Sequence, residues 1–351
     1  MAAALTTATA GPSLRPPRAG AGKAHGWVLL ETLSAPRRFI VAEGTRPRRF
    51  TGWDKSWIGR SATMNAAAPD LIADTVATGL THIRHVNSAD GRPMQIVAVP
   101  VTDPGNQVLG VHLWAGRRGQ SPPPRPAIGT LTWDPHTSLI STNGDLEQLI
   151  DAEGPTPRTR TLPEFLRCFT TFDRVGFLAL LDAHRAASTW TDKPVTTGAT
   201  SGKRRILHFA ARSDGPDPSR TLCALIHDIG EVEPTPAPEM TSLLAYAAPI
   251  AAGHAVGAVD LATGLVHEWL AGEPDPLQRW IHEVPRIHPD DAPACRAVRL
   301  VLLGGAPQWE NEFRVGFADG RWHRLHARWT VLTRHTAPQA LLSVRLMPPG
   351  P

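Results

Sequence analysis

Few residues of this sequence have types and spacings that could do chemistry. His288, Asp290 and Asp291 lie in one run of four residues and are of types that ligate metal ions. The same aspartates suit the start of a helix, where a carboxylate accepts hydrogen bonds from free N–H groups and faces the positive end of the helix dipole. We therefore expect these residues to cap a helix rather than to bind a metal.

His227 and Asp228 are a second pair of metal-ligand types. Phosphohydrolases that use such a pair hold it on a helix and add further His and Asp ligands from other helices. Residues 222–229 form an apolar run that predicts a strand, which argues against this chemistry. Residues 20–23 lack the upstream glycine and the following hydroxyl residue of a phosphate-binding loop.

The sequence also lacks other motifs that would indicate catalysis or binding. The sequence has no motif of a nucleophile elbow, a dinucleotide loop or a zinc-protease helix. Cys168, Cys223 and Cys295 are isolated, which fits reduced thiols of a cytoplasmic protein. A formal net charge of +4 over 351 residues is too small to predict nucleic-acid binding. Without a long apolar run we expect no membrane span, and we expect no enzyme activity.

The surrounding sequence predicts small domains of mixed structure. A helix over residues 65–78 precedes three strands at 82–86, 95–101 and 108–114, separated by turn residues. Proline-rich spacers follow at 121–126 and 233–238, and such runs favour extended backbone. The predicted division is a disordered tail 1–22, a first domain 23–120, a linker 121–126, a second domain 127–232, a linker with a connecting helix 233–250, and a third domain 251–351.

An internal repeat relates the second and third domains. Residues 127–131 return as 255–259, and Leu207-His208 returns as Leu325-His326, so the offset falls from 128 to 118 residues. The second copy along the chain is therefore shorter, and residues 151–160 are expected to form an extra loop in the first copy. Each copy predicts two strands, a helical crossover and three strands. The fold class is thus α+β, with three small domains, each an antiparallel sheet with helices packed mainly on one face.

The third domain resembles a PAS domain. The run 288–291 before a helix, the strand residues Glu312-Phe313-Arg314 and the turn 319–322 are similar to the C-terminal half of that family. The second domain resembles PAS through the repeat, and residues 97–101 with 108–112 resemble the ending of a GAF domain. This order is similar to that of an actinobacterial, mycobacterial-type family of triple sensor-domain proteins. The arginine-rich, lysine-poor composition agrees with such a source.

The resemblance implies a non-enzymatic signalling protein. It would sense an unknown small molecule, associate with a partner protein that carries the output, or do both. No flavin-adduct cysteine motif and no cyclic-nucleotide motif of GAF domains occurs, and His282 is the nearest candidate for a haem ligand. We therefore expect no cofactor. A scaffold with filled domain cores remains an alternative, as does a nucleic-acid binder that uses Arg46, Arg48 and Arg49 with the row 321–328.

Strand alternation gives the apolar residues that would line either a filled core or a ligand pocket. Close packing of protein interiors favours the core. The pocket candidates are Leu131, Trp133, Phe165, Phe177, Leu207, Phe209, Trp280, Phe313, Phe317, Leu325 and Trp329.

The same alternation puts a row of large polar and aromatic residues on the outer face of the third sheet. The row is Trp322, Arg324, His326 and Arg328. Tryptophan and arginine are enriched in protein interfaces, so we expect a neighbouring domain, a segment at 240–248 or an external protein to cover it. A monomer and a homodimer are both compatible with the sequence.

Overall fold

A computed structural model describes residues 26–33, 38–150, 154–197, 202, 204–215, 220–230, 250–272, 276–334 and 337–348. These residues form three small domains, each built on one antiparallel sheet with few helices. The predicted tail 1–22 and the predicted connecting helix at 240–248 lie outside the described residues. Among the described helices, none is long and apolar enough to cross a membrane.

The first sheet has the order β3-β2-β1-β6-β5-β4. Its strands are β1 (Val28–Glu31), β2 (Phe39–Glu43), β3 (Arg46–Gly52), β4 (His82–Asn87), β5 (Pro93–Thr102) and β6 (Val108–Arg117). Helix α1 (Ala62–Thr78) covers one face with Met64, Leu71 and Ile72, and it ends at Gly79, whose φ of 66° suits glycine. A 3-10 turn (Trp53–Lys55) precedes the helix.

The second sheet is the largest, with the order β10-β12-β13-β14-β7-β8-β9 and β11 paired to β13. Its elements are β7 (Gly129–Asp134), β8 (Leu139–Thr142), α2 (Gly144–Leu149), β9 (Arg158–Arg160), α3 (Leu162–Leu166), β10 (Phe169–Thr171), α4 (Arg174–Leu181), β11 (Ser188–Asp192), β12 (Val195–Thr197), β13 (Arg204–Asp214) and β14 (Thr221–Gly230). The side chains of Asn143, Thr161 and Asp173 accept backbone hydrogen bonds at the starts of α2, α3 and α4.

The extra loop expected at 151–160 is wrong at its C-terminal end. Residues Arg158–Arg160 form β9, which pairs with β8. The pairing brings Arg160 under α2, where its buried guanidinium binds the Glu147 carboxylate. The loop was predicted from its glycine, proline and polar residues. Its last three residues form a strand because their backbone pairs with β8.

The third sheet has the order β16-β15-β20-β19-β18-β17. Its elements are β15 (His254–Asp260), β16 (Val266–Ala271), a 3-10 helix (Leu277–Ile281), β17 (Arg286–Ile287), α5 (Ala292–Leu303), β18 (Gln308–Gly316), β19 (Trp322–Thr333) and β20 (Gln339–Leu346). In each of the three sheets the first strand lies between the second and the last strand. The three domains therefore share this central arrangement of three strands, although the sequence repeat covers only two of them.

The first and second domains pack through the outer faces of their sheets. Leu29 and Leu109 of the first sheet share a buried cluster with Ala210 and Leu225 of the second. Gly110 marks the closest approach, because a Cβ atom there would lie 2.8 Å from Cδ1 of Leu225. The two sheets thus cover each other.

The second and third domains meet differently, through α3 and α4 on one side and β16 with the 3-10 helix on the other. Arg174 forms an ion pair with Glu268, and Arg167 donates to the carbonyl oxygen of Trp269. Thr161 donates to the carbonyl oxygen of Ile281. This contact leaves the outer face of the third sheet outside the interface along β18, β19 and β20.

Candidate functional site

The pocket candidates of the second domain pack against one another. The ring of Phe165 lies 6.4 Å from that of Phe177 and 6.5 Å from that of Phe209, measured between centroids. Leu131 and Leu207 complete the same buried cluster, and Trp133 lies at its edge. The interior of this domain is therefore filled by the residues that could have lined a pocket.

The pocket candidates of the third domain also pack against one another in a buried cluster. Trp280 stacks on Trp269 with ring centroids 4.3 Å apart, and Phe313, Phe317 and Leu325 belong to the same buried cluster. Trp329 closes it and donates from Nε1 to Oδ1 of Asn311 at 2.9 Å. Among the candidates, Trp133 and Trp280 also line cavities, and these cavities lie between domains.

The cavities between domains are small. One of about 270 Å³ lies between the first and second domains, where Asp103 faces Arg212 and Cys223. Two others, of about 260 Å³ and about 180 Å³, lie between the second and third domains. No sequence pattern predicts these cavities, because each is formed by loops and strand ends from two domains.

The run 288–291 has a different role from the one expected. Asp291 occupies the position before α5 but makes no side-chain hydrogen bond to the helix start. Its carboxylate instead accepts hydrogen bonds from the backbone N–H of Arg314 at 2.7 Å and from Nε at 2.9 Å. Hydrogen bonding to Arg314 holds the pKa of Asp291 below its ordinary value. Asp291 thus takes the predicted position at the helix start, but the predicted capping hydrogen bond is wrong, because the guanidinium and backbone N–H of Arg314 on β18 bind the carboxylate instead.

His227 and Asp228 lie on β14, as the apolar run predicted. No group of three or more His, Cys, Asp and Glu residues in the described ranges could hold a metal ion. His227 is buried against His208, with ring centroids 5.0 Å apart, and burial lowers the pKa of His227 to about 4. His282 is an exposed residue whose Nδ1 lies 3.5 Å from the Glu164 carboxylate.

The outer face of the third sheet carries the predicted interaction row. Trp322 is 44% exposed and packs edge-on against His288, with ring centroids 4.7 Å apart. Arg324 donates from Nε to Glu312 at 3.0 Å, and Nε of Arg328 lies 3.7 Å from Glu310. His326 also lies 3.7 Å from Glu310. The row is thus a ladder of exposed ion pairs that ends in an aromatic side chain.

This ladder has more cations than anions. The cross-strand registers put Arg286, Arg314 and Arg345 on the same face as the row, together with Glu310 and Glu312. Each of the two glutamates is already bound by arginine. Arg345 donates from NH2 to the sulfur of Met347 at 3.9 Å and pairs with no carboxylate of the described residues. Arg314 is bound by Asp290 and Asp291, so Arg286 and Arg345 are the guanidinium groups of this face that pair with no carboxylate of the described residues.

Comparisons with known proteins agree with the fold and name no activity. Residues 26–124 match a family model described as Rv3651-like, N-terminal. The crystal structure of an uncharacterized protein from Mycobacterium tuberculosis is 22% identical, with a TM-score of 0.69 over 92% of this chain and 96% of that chain. The first domain is thus similar to a mycobacterial-type family, and the whole chain shares its fold with a mycobacterial protein.

A second solved structure is far less similar. The structure of an RNA-binding light-oxygen-voltage receptor is 9% identical, with a TM-score of 0.23 over 62% of this chain and 94% of that chain. A similarity this low supports no conclusion about the fold or the function of this chain. No curated protein matches the chain.

Proposed function

We propose that this chain is a non-enzymatic signalling adaptor that binds an acidic protein surface through the outer face of its third sheet. The observation that carries the proposal is the contrast between the three sheets. The outer faces of the first and second sheets bury each other. The described residues leave the equivalent face of the third sheet exposed along β18, β19 and β20. The type of sheet face that forms the contact between the first two domains is thus present a third time, and none of the described residues covers it there.

The chemistry of the face supports an acidic protein as the partner. Its guanidinium groups outnumber its carboxylates, and Arg345 has no carboxylate partner among the described residues. Trp322 offers an apolar contact at one end of the row. Arginine and tryptophan are the residues that most often dominate binding energy in protein interfaces.

The alternatives have less support. A small molecule inside the second or third domain would have to displace the packed aromatic clusters. The evenly spaced phosphates of a nucleic acid would have to pass Glu310 and Glu312 within the row, whereas a protein can place its carboxylates at the arginines and avoid the two glutamates. In the first domain, Arg48 is already paired with Glu43, so Arg46 and Arg49 do not form a free basic stripe with it.

The proposal is tested by site-specific crosslinking in the source organism. A photoreactive amino acid at position 322 should capture a protein, and the crosslinked peptide should be acidic. With that partner purified, the Arg324→Glu/Arg328→Glu variant should bind about tenfold or more weakly, because both guanidinium groups become repulsive. Changing the partner's acidic residues to lysine should restore binding to this variant.

The matched control is Arg117→Glu/Arg118→Glu, which makes the same change of charge at two exposed positions of the first domain. It should leave the affinity unchanged. Equal binding by the two double variants, or crosslinking of position 322 to nucleic acid, would contradict the proposal.

A further inference from the structure

The larger cavity between the second and third domains has an unusual lining. Its volume is about 260 Å³, below the range of about 300–1,000 Å³ common for drug-sized ligands. The second domain contributes Trp133, Ser138, Asp182, His184 and Arg220, and the third contributes Thr263 and Arg299, with a few apolar residues from both.

Arg220 is a buried charge without a counter-ion among the described residues. Its side chain is 1% exposed, and it donates to the carbonyl oxygens of Leu180, Arg185 and Ala186 and to Oγ of Ser213. All four acceptors are neutral, and no carboxylate of the described ranges pairs with it. A guanidinium does not lose its proton in a protein, and an uncompensated buried charge is costly.

Arg299 adds a second guanidinium from the opposite wall. It donates from Nε and from NH2 to the carbonyl oxygen of Leu261, at 3.1 Å and 3.0 Å. Burial lowers the pKa of Arg299, and the fields of Asp260 and Asp182 oppose that effect.

Neither carboxylate binds Arg299 directly, because each is engaged elsewhere. Asp260 accepts hydrogen bonds from Thr263 at 2.6 Å and from Gln339 at 3.0 Å. Asp182 pairs with Arg185 at 3.3 Å and accepts the backbone N–H of His184.

Trp133 lines the same cavity, and the residue is 7% exposed. Its indole Nε1 is buried and has no hydrogen-bond partner within the described structure. A buried N–H group without an acceptor loses the free energy of a hydrogen bond. The cavity is therefore lined by two guanidinium groups that have neutral acceptors and by a tryptophan whose N–H group is unpaired within the described residues.

We propose that this cavity binds a small organic anion, a carboxylate or phosphate compound, between the second and third domains. The anion would supply a directly bound counter-charge, which no carboxylate of the described residues gives to Arg220 or Arg299, and it would contact Trp133. Because it would contact both domains, binding would stabilise their arrangement, by an amount that rises with the logarithm of ligand concentration above the dissociation constant. This site is separate from the proposed protein-binding face and does not depend on it.

The test is titration calorimetry and thermal unfolding of the full chain with inorganic phosphate and with succinate. Sodium chloride at the same ionic strength is the reference. We expect saturable binding of at least one anion, a rise in unfolding temperature and a shift of the Trp133 indole N–H signal in NMR spectra. A preference for phosphate or for succinate then distinguishes the two ligand chemistries.

Two variants localise the binding. Arg299→Met removes one guanidinium, and Ala262→Trp fills the cavity, so each should weaken binding about tenfold or more. The matched control is Arg334→Met, since Arg334 is exposed and also donates to two carbonyl oxygens, those of Gly305 and Ala306. No response beyond that of sodium chloride, or an equal response of Arg299→Met and Arg334→Met, would overturn the proposal.

Discussion

Replacing Glu147 by alanine is expected to destabilise the protein by about 3–5 kcal/mol, the range for breaking a buried ion pair. The Glu147 carboxylate is fully buried, and its Oε2 accepts from NH2 of Arg160 at 2.6 Å. Thr142 donates to the other oxygen. Alanine would leave the Arg160 guanidinium charged, 4% exposed and without its main partner. Urea unfolding followed by circular dichroism measures the loss.

Two further variants separate the buried charge from general damage. The double change Glu147→Leu/Arg160→Met should recover most of the stability, because it removes both charges and keeps the volume filled. Glu312→Ala breaks the exposed pair with Arg324 and should cost less than about 1 kcal/mol. If Glu147→Ala cost no more than Glu312→Ala, the buried pair would not exist in solution.

Local patterns of the sequence predicted much of the fold. Alternation in β19 put Leu325 and Trp329 in the core and Arg324 and Arg328 outside, as observed. Asp173 is of a residue type that favours the start of a helix, and its carboxylate accepts the N–H of Gly176 at 2.9 Å. Sequence patterns predict such features correctly because periodicity and capping depend on neighbours a few residues apart.

Features that depend on distant residues were missed or wrong. Strands β1 and β3 had no prediction. The helical crossover expected in the third domain begins with a short 3-10 helix, Leu277–Ile281, and continues to α5 through the short strand β17. The Arg160–Glu147 pair and the cavity at Arg220 each join elements that are far apart along the chain. The assignment of the domains to the PAS and GAF families, and their predicted boundaries, stay predictions.

The outer sheet faces show this limit most clearly. Alternation separates the two faces of a sheet, but it does not tell which outer face another domain will cover. Alternation therefore puts three histidines on outer sheet faces, where solvent exposure would be expected. The structure buries all three where the first two sheets meet: His112, His208 and His227. The apolar residues Cys223 and Leu225 on the same outer face of β14 were the one available signal.

Lowering the pH from about 7.5 to about 5.5 is expected to destabilise the contact between the first and second domains by about 4 kcal/mol, roughly 1.4 kcal/mol for each of three histidines. Burial lowers the pKa of His112 and His208 to about 3 and that of His227 to about 4. The folded protein holds them neutral, so the unfolded chain takes up more protons below pH 6.5. Stability then falls until the pH passes the folded pKa values.

The charges around these rings act in the same direction. Arg125 lowers the pKa of His112, and Lys193 and Arg49 lower that of His208. The acidic groups near this interface, Glu31 and Asp103, act on Cys223 instead. Protonated histidines would therefore meet mainly positive charges, and the contact between the sheets should open on acidification.

His227→Phe tests this expectation directly, because neither ring nitrogen of His227 has a hydrogen-bond partner in the described structure. The variant keeps an aromatic ring and loses only the titrating group, so about one third of the acid sensitivity should disappear. His136→Phe, at an exposed position, should change nothing. The measurements are urea unfolding at both pH values and hydrogen exchange of the β6 and β14 amides. An unchanged pH dependence in His227→Phe would mean that the histidines do not link the two sheets to pH.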